Sequence, residues 1–186
     1  MFSFSGCAVF KKAPTPAVLD TSNSATVTQP NAPSTQNNSF KRRQTLFVIE
    51  RSMNKNVVHY DAQLTAEGRL APKEPAVVYW KMLAEDGRTE NLTWIEKLRA
   101  YGFTIEQTAA GNAYKMTLAA APGRPFLIKS EGEAVHAEGL ISGRPAIIER
   151  IYVNTSSGVL GPKVENIELH GRNIQTGQPA KEVIVP

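Results

Sequence analysis

The chain has 186 residues, 41% of them hydrophobic, which suits one globular domain with a terminal extension and a substantial core. Its formal net charge of +4 arises before residue 44, where five basic residues face one acidic residue, and the later charges balance. A nucleic-acid-binding domain carries its basic patch on the folded surface, so this distribution argues against nucleic acid as a partner.

The only cysteine, Cys7, ends the tetrapeptide Phe4-Ser5-Gly6-Cys7, which resembles the end of a bacterial lipoprotein signal. In such a signal the cysteine is cleaved free and lipidated, so Cys7 is the predicted point of membrane attachment. A signal also needs a basic and an apolar segment, and only six residues precede Cys7. If the protein is lipid-anchored in the cell envelope or periplasm, we therefore expect its true start upstream. Otherwise Cys7 is an ordinary cytoplasmic thiol.

Residues 13–39 are rich in Ser, Thr, Asn, Gln, Pro and Ala, with no aromatic residue and one charge. Such a segment buries too little apolar surface to offset the entropy of ordering, which predicts a disordered tether. The predicted organisation is a lipobox-like N-terminus plus tether over residues 1–43, and a single β-rich domain over residues 44–186. No apolar run of about 20 residues exists, so no transmembrane helix is predicted.

The folded region begins with the signature of a β-hairpin. Residues 46–51 and 57–62 are rich in β-branched and aromatic side chains. Between them, residues 52–56 contain Asn54 and Asn56, which suit turn geometry. A third strand is predicted over residues 77–82.

One helix is predicted over residues 93–101. Thr93 and Glu96 match a capping box at its start, and Gly102 supplies a stop at its end. Large apolar residues recur at helical spacing and predict the face that packs on the sheet: Trp94, Leu98 and Tyr101.

The rest of the chain alternates strand-like runs with turn signals. These runs are residues 103–107, 113–119, 125–129, 134–141, 146–153, 164–170 and 182–185. About ten short strands with one α-helix predict a mainly β fold, an antiparallel β-sandwich or barrel.

Several blocks of this region are similar to a known family. They read FVIERSMNKNVVHYDA at residues 47–62, VVYW at 77–80, LTWIE at 92–96 and AYGF at 100–103. Together they resemble a mainly bacterial family, domain of unknown function 4833. The resemblance implies a β-rich, exported or lipid-anchored domain of unassigned activity, and it supplies no catalytic residues.

The first hairpin and the aromatic residues near it are the candidate ligand-binding groups. The candidates are Glu50, Arg51, Asn54, Asn56, His59, Asp61, Trp80 and Tyr101. A carboxylate, a guanidinium and two amides at one hairpin end suit a polar ligand held by hydrogen bonds. Alternatively, Asn54 and Asn56 make the turn while Glu50 and Arg51 pair across strands. Trp80, Trp94 and Tyr101 either line an apolar pocket in a barrel mouth or form the helix–sheet contact.

A catalytic site is the alternative interpretation of the same region. His59 and Asp61 share one face of their strand, and a His–Asp pair can orient a general base. A hydrolase-like site of His59, Asp61, Glu50 and Arg51 would require these residues to converge in space. No nucleophile motif accompanies them, and a cross-strand polar pair explains His59 and Asp61 more simply.

No cofactor or metal site is predicted from local spacing. The three histidines have no partner at metal-ligand spacing. His136 lies between Glu133 and Glu138, and a solvated strand face with alternating charges explains this pattern better than a carboxylate–imidazole site.

These features favour a non-enzymatic, envelope-tethered binding or accessory domain for a small amphipathic ligand or a protein partner. The alternatives are the hydrolase-like enzyme and a cytosolic structural protein with a disordered arm.

Overall fold

The computed structural model describes residues 42–109, 111, 113–158 and 161–186. The predictions for Cys7 and for the tether fall outside these residues. Within the described part of the chain, no helix has the length and apolar character that a membrane crossing requires.

Strands make up most of the described chain. They are β1 (Arg42–Arg51), β2 (Asn54–Leu64), β3 (Ala76–Lys81), β4 (Thr89–Asn91), β5 (Phe103–Gln107), β6 (Ala113–Leu118), β7 (Phe126–Glu131), β8 (Ala134–Ile141), β9 (Arg144–Gly158), β10 (Gly161–Asn173) and β11 (Pro179–Ile184). Every predicted strand is present, and the mainly β prediction is confirmed. The sequence missed β4, because its three polar residues carry no apolar alternation.

The strands form one curled, barrel-like sheet in the order β4-β3-β2-β1-β9-β8-β7-β6-β5, with β10 on β9 and β11 on β10. β9 pairs with β8 through its first residues and with β1 further along. The β1–β9 pair is parallel, with Val48 opposite Arg150, whereas every other described pair is antiparallel. The antiparallel prediction therefore fails at this one pair, which joins segments far apart in the chain.

The core fills the inner face of the curl. Phe47 and Tyr60 are fully buried, and their rings stack with centroids 4.5 Å apart. Phe126 of β7 meets Phe47 of β1 edge-on at 5.3 Å, so these two strands pack against each other across the inner face. The Tyr60 hydroxyl donates a 2.6 Å hydrogen bond to the Tyr101 carbonyl and so ties the helix end to the core.

The first hairpin turn is tighter than predicted. Arg51 pairs with Asn54, so only Ser52 and Met53 lie in the turn. Asn54 belongs to β2, where its side-chain oxygen accepts from the Asn56 N–H at 2.9 Å. The Asn56 side-chain oxygen in turn accepts from the Ala84 N–H at 2.9 Å, which holds the next loop.

The helix predicted over residues 93–101 is present over residues 94–101, with Thr93 as its N-cap, but it changes its winding. It begins as α1 (Trp94–Glu96) and continues as a π-helical segment (Lys97–Tyr101). The capping box is confirmed, because the Thr93 hydroxyl accepts from the Glu96 N–H and the Glu96 carboxylate accepts from the Thr93 N–H.

The predicted packing face of this helix is wrong. Tyr101 is buried, but Trp94 and Leu98 are 74% and 65% exposed. A π-helical turn holds more residues than an α-helical turn, so Tyr101 is rotated away from the line of Trp94 and Leu98.

Candidate binding groove at the seam of the sheet

The two ends of the sheet meet at an open seam. β4 and β3 lie at one end of the strand order, β5 lies at the other, and the helical segment connects β4 to β5. A groove of about 910 Å³ lies at this seam. It is lined by Ala76–Tyr79 and Thr89–Asn91, by Trp94, Lys97 and Leu98 of the helical segment, and by Gly102 and Phe103. Its volume is in the range of small-molecule sites.

The helical wall of the groove is apolar and exposed. Trp94 and Leu98 are four residues apart, so their side chains are neighbours on the helix surface. Both line the groove, and both are among the most exposed large apolar side chains of the described chain. Sequence reasoning predicted that both pack on the sheet, with an apolar pocket as the alternative for Trp94, because no pattern in the chain signals the change to π-helical winding.

The opposite wall carries a buried polar cluster behind Tyr79. The Tyr79 hydroxyl donates to one oxygen of Asp61 at 2.6 Å, and the Thr45 hydroxyl donates to the other at 2.9 Å. Asp61 is only 4% exposed. Burial, reinforced by the hydrogen bond to Asp61 and by the negative charge there, raises the pKa of Tyr79 to about 12. The Tyr79 hydroxyl is therefore protonated at neutral pH and acts as a hydrogen-bond donor. Both carboxylate oxygens of Asp61 already accept hydrogen bonds, one from Tyr79 and one from Thr45.

His59 joins this cluster by stacking. Its ring lies parallel to the Tyr79 ring at 5.6 Å, and its Nδ1 is buried without a hydrogen-bond partner in the described chain. Burial lowers the pKa of His59, Lys81 adds to that effect, and the Asp61 carboxylate opposes it. The Asp61 oxygens bind Thr45 and Tyr79, so the described contacts contain no His–Asp hydrogen bond of the kind that orients a general base.

A second cluster fastens the helix to the inner face of the sheet. The Arg51 guanidinium lies over the rings of Trp80 and Tyr101 at 5.5 and 5.7 Å, and these two rings meet edge-on at 5.2 Å. The Trp80 indole N–H donates to Glu96 at 3.1 Å. Cation–π contacts and a charge-assisted hydrogen bond of this kind hold the helical segment in place beside the groove.

Glu96 is the acidic residue of this second cluster. Burial alone would raise the pKa of its carboxyl, but hydrogen bonds from Thr93 and Trp80 and the charge of Arg51 outweigh burial. The net effect holds the pKa of Glu96 below its usual range, so the carboxylate stays ionised through neutral and mildly acidic pH.

The candidate ligand-binding residues predicted from the sequence do not lie in one site but on opposite faces of the sheet. Tyr79 and Trp80 are consecutive in β3, so their side chains lie on opposite faces of the sheet. His59 and Asp61 accompany Tyr79 on the outer face, whereas Arg51 accompanies Trp80 on the inner face.

The remaining candidates lie elsewhere. Glu50 pairs with Arg150 at 3.3 Å, and Asn54 and Asn56 make local bonds near the hairpin turn. The hydrolase-like set of His59, Asp61, Glu50 and Arg51 therefore does not form one concave site in the described chain.

Three potential metal ligands do come together on another part of the sheet. Glu131, His136 and Glu138 have donor atoms within 4.8 Å of one another. His136 lies 3.0 Å from Glu138, and the Lys129 ammonium binds the other Glu138 oxygen at 2.6 Å. The lysine compensates the carboxylate charge, so these contacts are accounted for by a surface ion-pair network.

Comparison with known proteins identifies the domain by sequence. The family model described as "Domain of unknown function (DUF4833)" matches residues 47–183. This match confirms the resemblance found in the sequence and covers every strand from β2 to β10. No curated protein and no solved structure matches the chain.

Proposed function

Because the chain belongs to the DUF4833 family, whose function is unknown, we propose from the groove itself that this is a non-enzymatic binding domain for an amphipathic ligand or protein segment. The observation that carries the proposal is the exposure of Trp94 and Leu98 in the wall of a groove of about 910 Å³. Large apolar side chains exposed side by side in a concave site are typical of binding surfaces.

The energetics favour an amphipathic ligand. Full burial of a large apolar side chain is favourable by about 1.5–3 kcal/mol, so covering Trp94 and Leu98 would contribute several kcal/mol to binding. The opposite wall is polar, with the Tyr79 ring and the charged residues Arg43, Glu74 and Glu90. A ligand with one apolar side and one polar side complements both walls.

We expect the replacement Trp94→Ser to weaken binding of the amphipathic dye 8-anilinonaphthalene-1-sulfonate about tenfold, because it removes the largest apolar surface of the groove. Dye fluorescence titration measures the effect. The control is Leu140→Ser, which removes a similarly exposed apolar side chain that does not line the groove. Equal dye affinity in both variants would contradict a binding role for the groove.

We also propose that the domain acts at the cell envelope, held there by lipidated Cys7. The support is the lipobox-like sequence that ends at Cys7 and the tether-like composition of residues 13–39. Cells expressing the gene from its native locus, fed an alkyne-tagged fatty acid, are expected to label the protein and retain it in the membrane fraction. Cys7→Ser should abolish both the labelling and the membrane retention. If the Cys7→Ser protein is still labelled, the anchor proposal is wrong and the groove proposal is unaffected.

A further inference from the structure

We propose that the groove binds an extended peptide segment of another protein, which adds as a strand to the open edge of β3. This inference rests on the proposed binding function and specifies its ligand class. Strand addition is a recurring mode of peptide recognition, in which the main chain supplies affinity and alternate side chains supply specificity.

The direction of the peptide groups in β3 shows which ones face the groove. The Gln63 N–H donates to the Pro75 carbonyl at 2.9 Å, so odd-numbered residues of β3 bond toward β2. The Met82 N–H donates to the Arg88 carbonyl at 2.9 Å, so even-numbered residues bond toward β4. β4 pairs only with Tyr79, Trp80 and Lys81. By the same register Leu92, directly after β4, lies opposite Val78, so in the described chain the open edge consists of the outward N–H and C=O groups of Ala76 and the N–H of Val78.

β5, on the other side of the seam, also has backbone groups with no strand beside them in the described chain. The Ala119 N–H donates to the Gly102 carbonyl at 2.8 Å, and the Thr108 N–H donates to the Ala113 carbonyl at 2.9 Å. The backbone N–H and C=O groups of even-numbered residues in β5 therefore face β6, and those of odd-numbered residues point away from β6. β5 pairs only with β6 among the described strands, and Phe103 at its start lines the groove. An extended backbone presents alternating donors and acceptors that a compact amphiphile does not have.

Gln63 adds an independent observation at the Ala76 end. Its side chain is fully buried in the groove lining, and its amide nitrogen donates to the Glu74 carbonyl at 3.0 Å. Its amide oxygen has no hydrogen-bond partner in the described chain. Buried polar atoms are nearly always satisfied, so this enclosed oxygen shows that the lining at the Ala76 end lacks a hydrogen-bond donor in the described chain.

The charges of the groove indicate a peptide with little net charge. Two basic residues, Arg43 and Lys97, and two acidic residues, Glu74 and Glu90, line the groove, so neither sign dominates. The exposed edge is short, because Pro75 precedes it and β4 covers the strand beyond Val78. We therefore infer a short, extended segment with alternating apolar residues, one of which packs on Trp94 and Leu98.

The test begins with selection of random linear dodecapeptides displayed on phage against the full chain. The tightest peptide is then synthesised with a single N-methyl group at each position in turn. In a strand paired with β3, alternate N–H groups face that edge and the others face the β5 side, so methylation at every second residue should weaken binding about tenfold and the intervening positions should show a smaller effect. If the loss of peptide affinity depends on which residue is methylated and does not alternate along the peptide, strand addition is wrong.

A variant of the protein provides the reciprocal measurement. Val78→Pro removes an N–H that faces the groove and keeps the bonds to β2, and proline is tolerated at an edge in that orientation. It should weaken the selected peptide about tenfold while the circular dichroism spectrum of the domain is retained. Val185→Pro, at an exposed position beyond β11, is the matched control and should bind both the peptide and the dye normally.

Other outcomes would assign the edge differently and overturn the proposal. A dimer in sedimentation that Val78→Pro dissolves would assign the edge to a second copy of the chain. Hydrogen-exchange protection of residues 1–41 that Val78→Pro abolishes would assign it to the chain's own N-terminal segment. Dye binding without any selected peptide would overturn strand addition alone, whereas loss of both would remove the binding function too.

Discussion

Replacing Gly102 by alanine is expected to lower the free energy of unfolding by about 3 kcal/mol. An alanine Cβ at this position would lie 1.9 Å from the Lys97 carbonyl oxygen and 2.7 Å from the carbonyl carbon. These are backbone atoms, so no flexible side chain can move aside. The backbone of Gly102 has φ −66° and ψ 163°, which alanine adopts without strain. The whole effect therefore arises from the close approach of the helical segment to the start of β5.

Urea denaturation followed by circular dichroism measures this loss. Gly123→Ala is the matched control, because no atom lies within 4 Å of its added Cβ and its φ is not in the left-handed region. Its unfolding free energy should stay within about 0.5 kcal/mol of the parent. Equal stability of the two variants would mean that Lys97 yields easily, and that Gly102 does not fix the helix beside the groove.

Replacing Asp61 by alanine is expected to cost about 3 kcal/mol of stability. The hydroxyls of Thr45 and Tyr79 both donate to this carboxylate, which is almost fully buried. Removing it leaves two hydroxyl donors without the acceptor that both share.

Asp61→Asn is the control for this loss, since an amide can accept from one hydroxyl and donate to the other. It should retain most of the stability. A double-mutant cycle with Thr45→Ala should show coupling of about 1 kcal/mol, because the two side chains share one hydrogen bond. If Asp61→Ala unfolds at the parent's urea concentration, the carboxylate does not stabilise the wall behind Tyr79, and a ligand-binding role for it regains weight.

Local signals in the sequence were sufficient for the elements and the fold class. The alternation of apolar residues predicted the strands from β1 to β11 except β4, and Thr93 with Glu96 predicted the helix start. Each of these signals acts between residues close in the chain, through side-chain alternation, a capping bond or a turn. The family resemblance likewise depended on contiguous blocks of residues 47–103, and the family model confirmed it.

The candidate site shows the limit of such signals. Sequence reasoning named Trp80 and Tyr101 as candidate pocket residues, but both are buried where the helical segment packs on the sheet. It predicted that Trp94 and Leu98 pack on the sheet, with a pocket as the alternative for Trp94, and both line the groove. The segment from Lys97 to Tyr101 is π-helical, and Tyr101 packs on Trp80 and Arg51 while Trp94 and Leu98 stay exposed.

The sequence by itself determined that this is a β-rich domain with one capped helix, because those properties follow from neighbours along the chain. The tertiary structure alone decided the parallel pairing of β1 with β9, the close approach of Gly102 to Lys97 and the seam left open beside β3. These features join residues that are distant in sequence or depend on where a neighbouring strand ends. Hydrogen bonding and packing between such segments are set only when the whole sheet has curled.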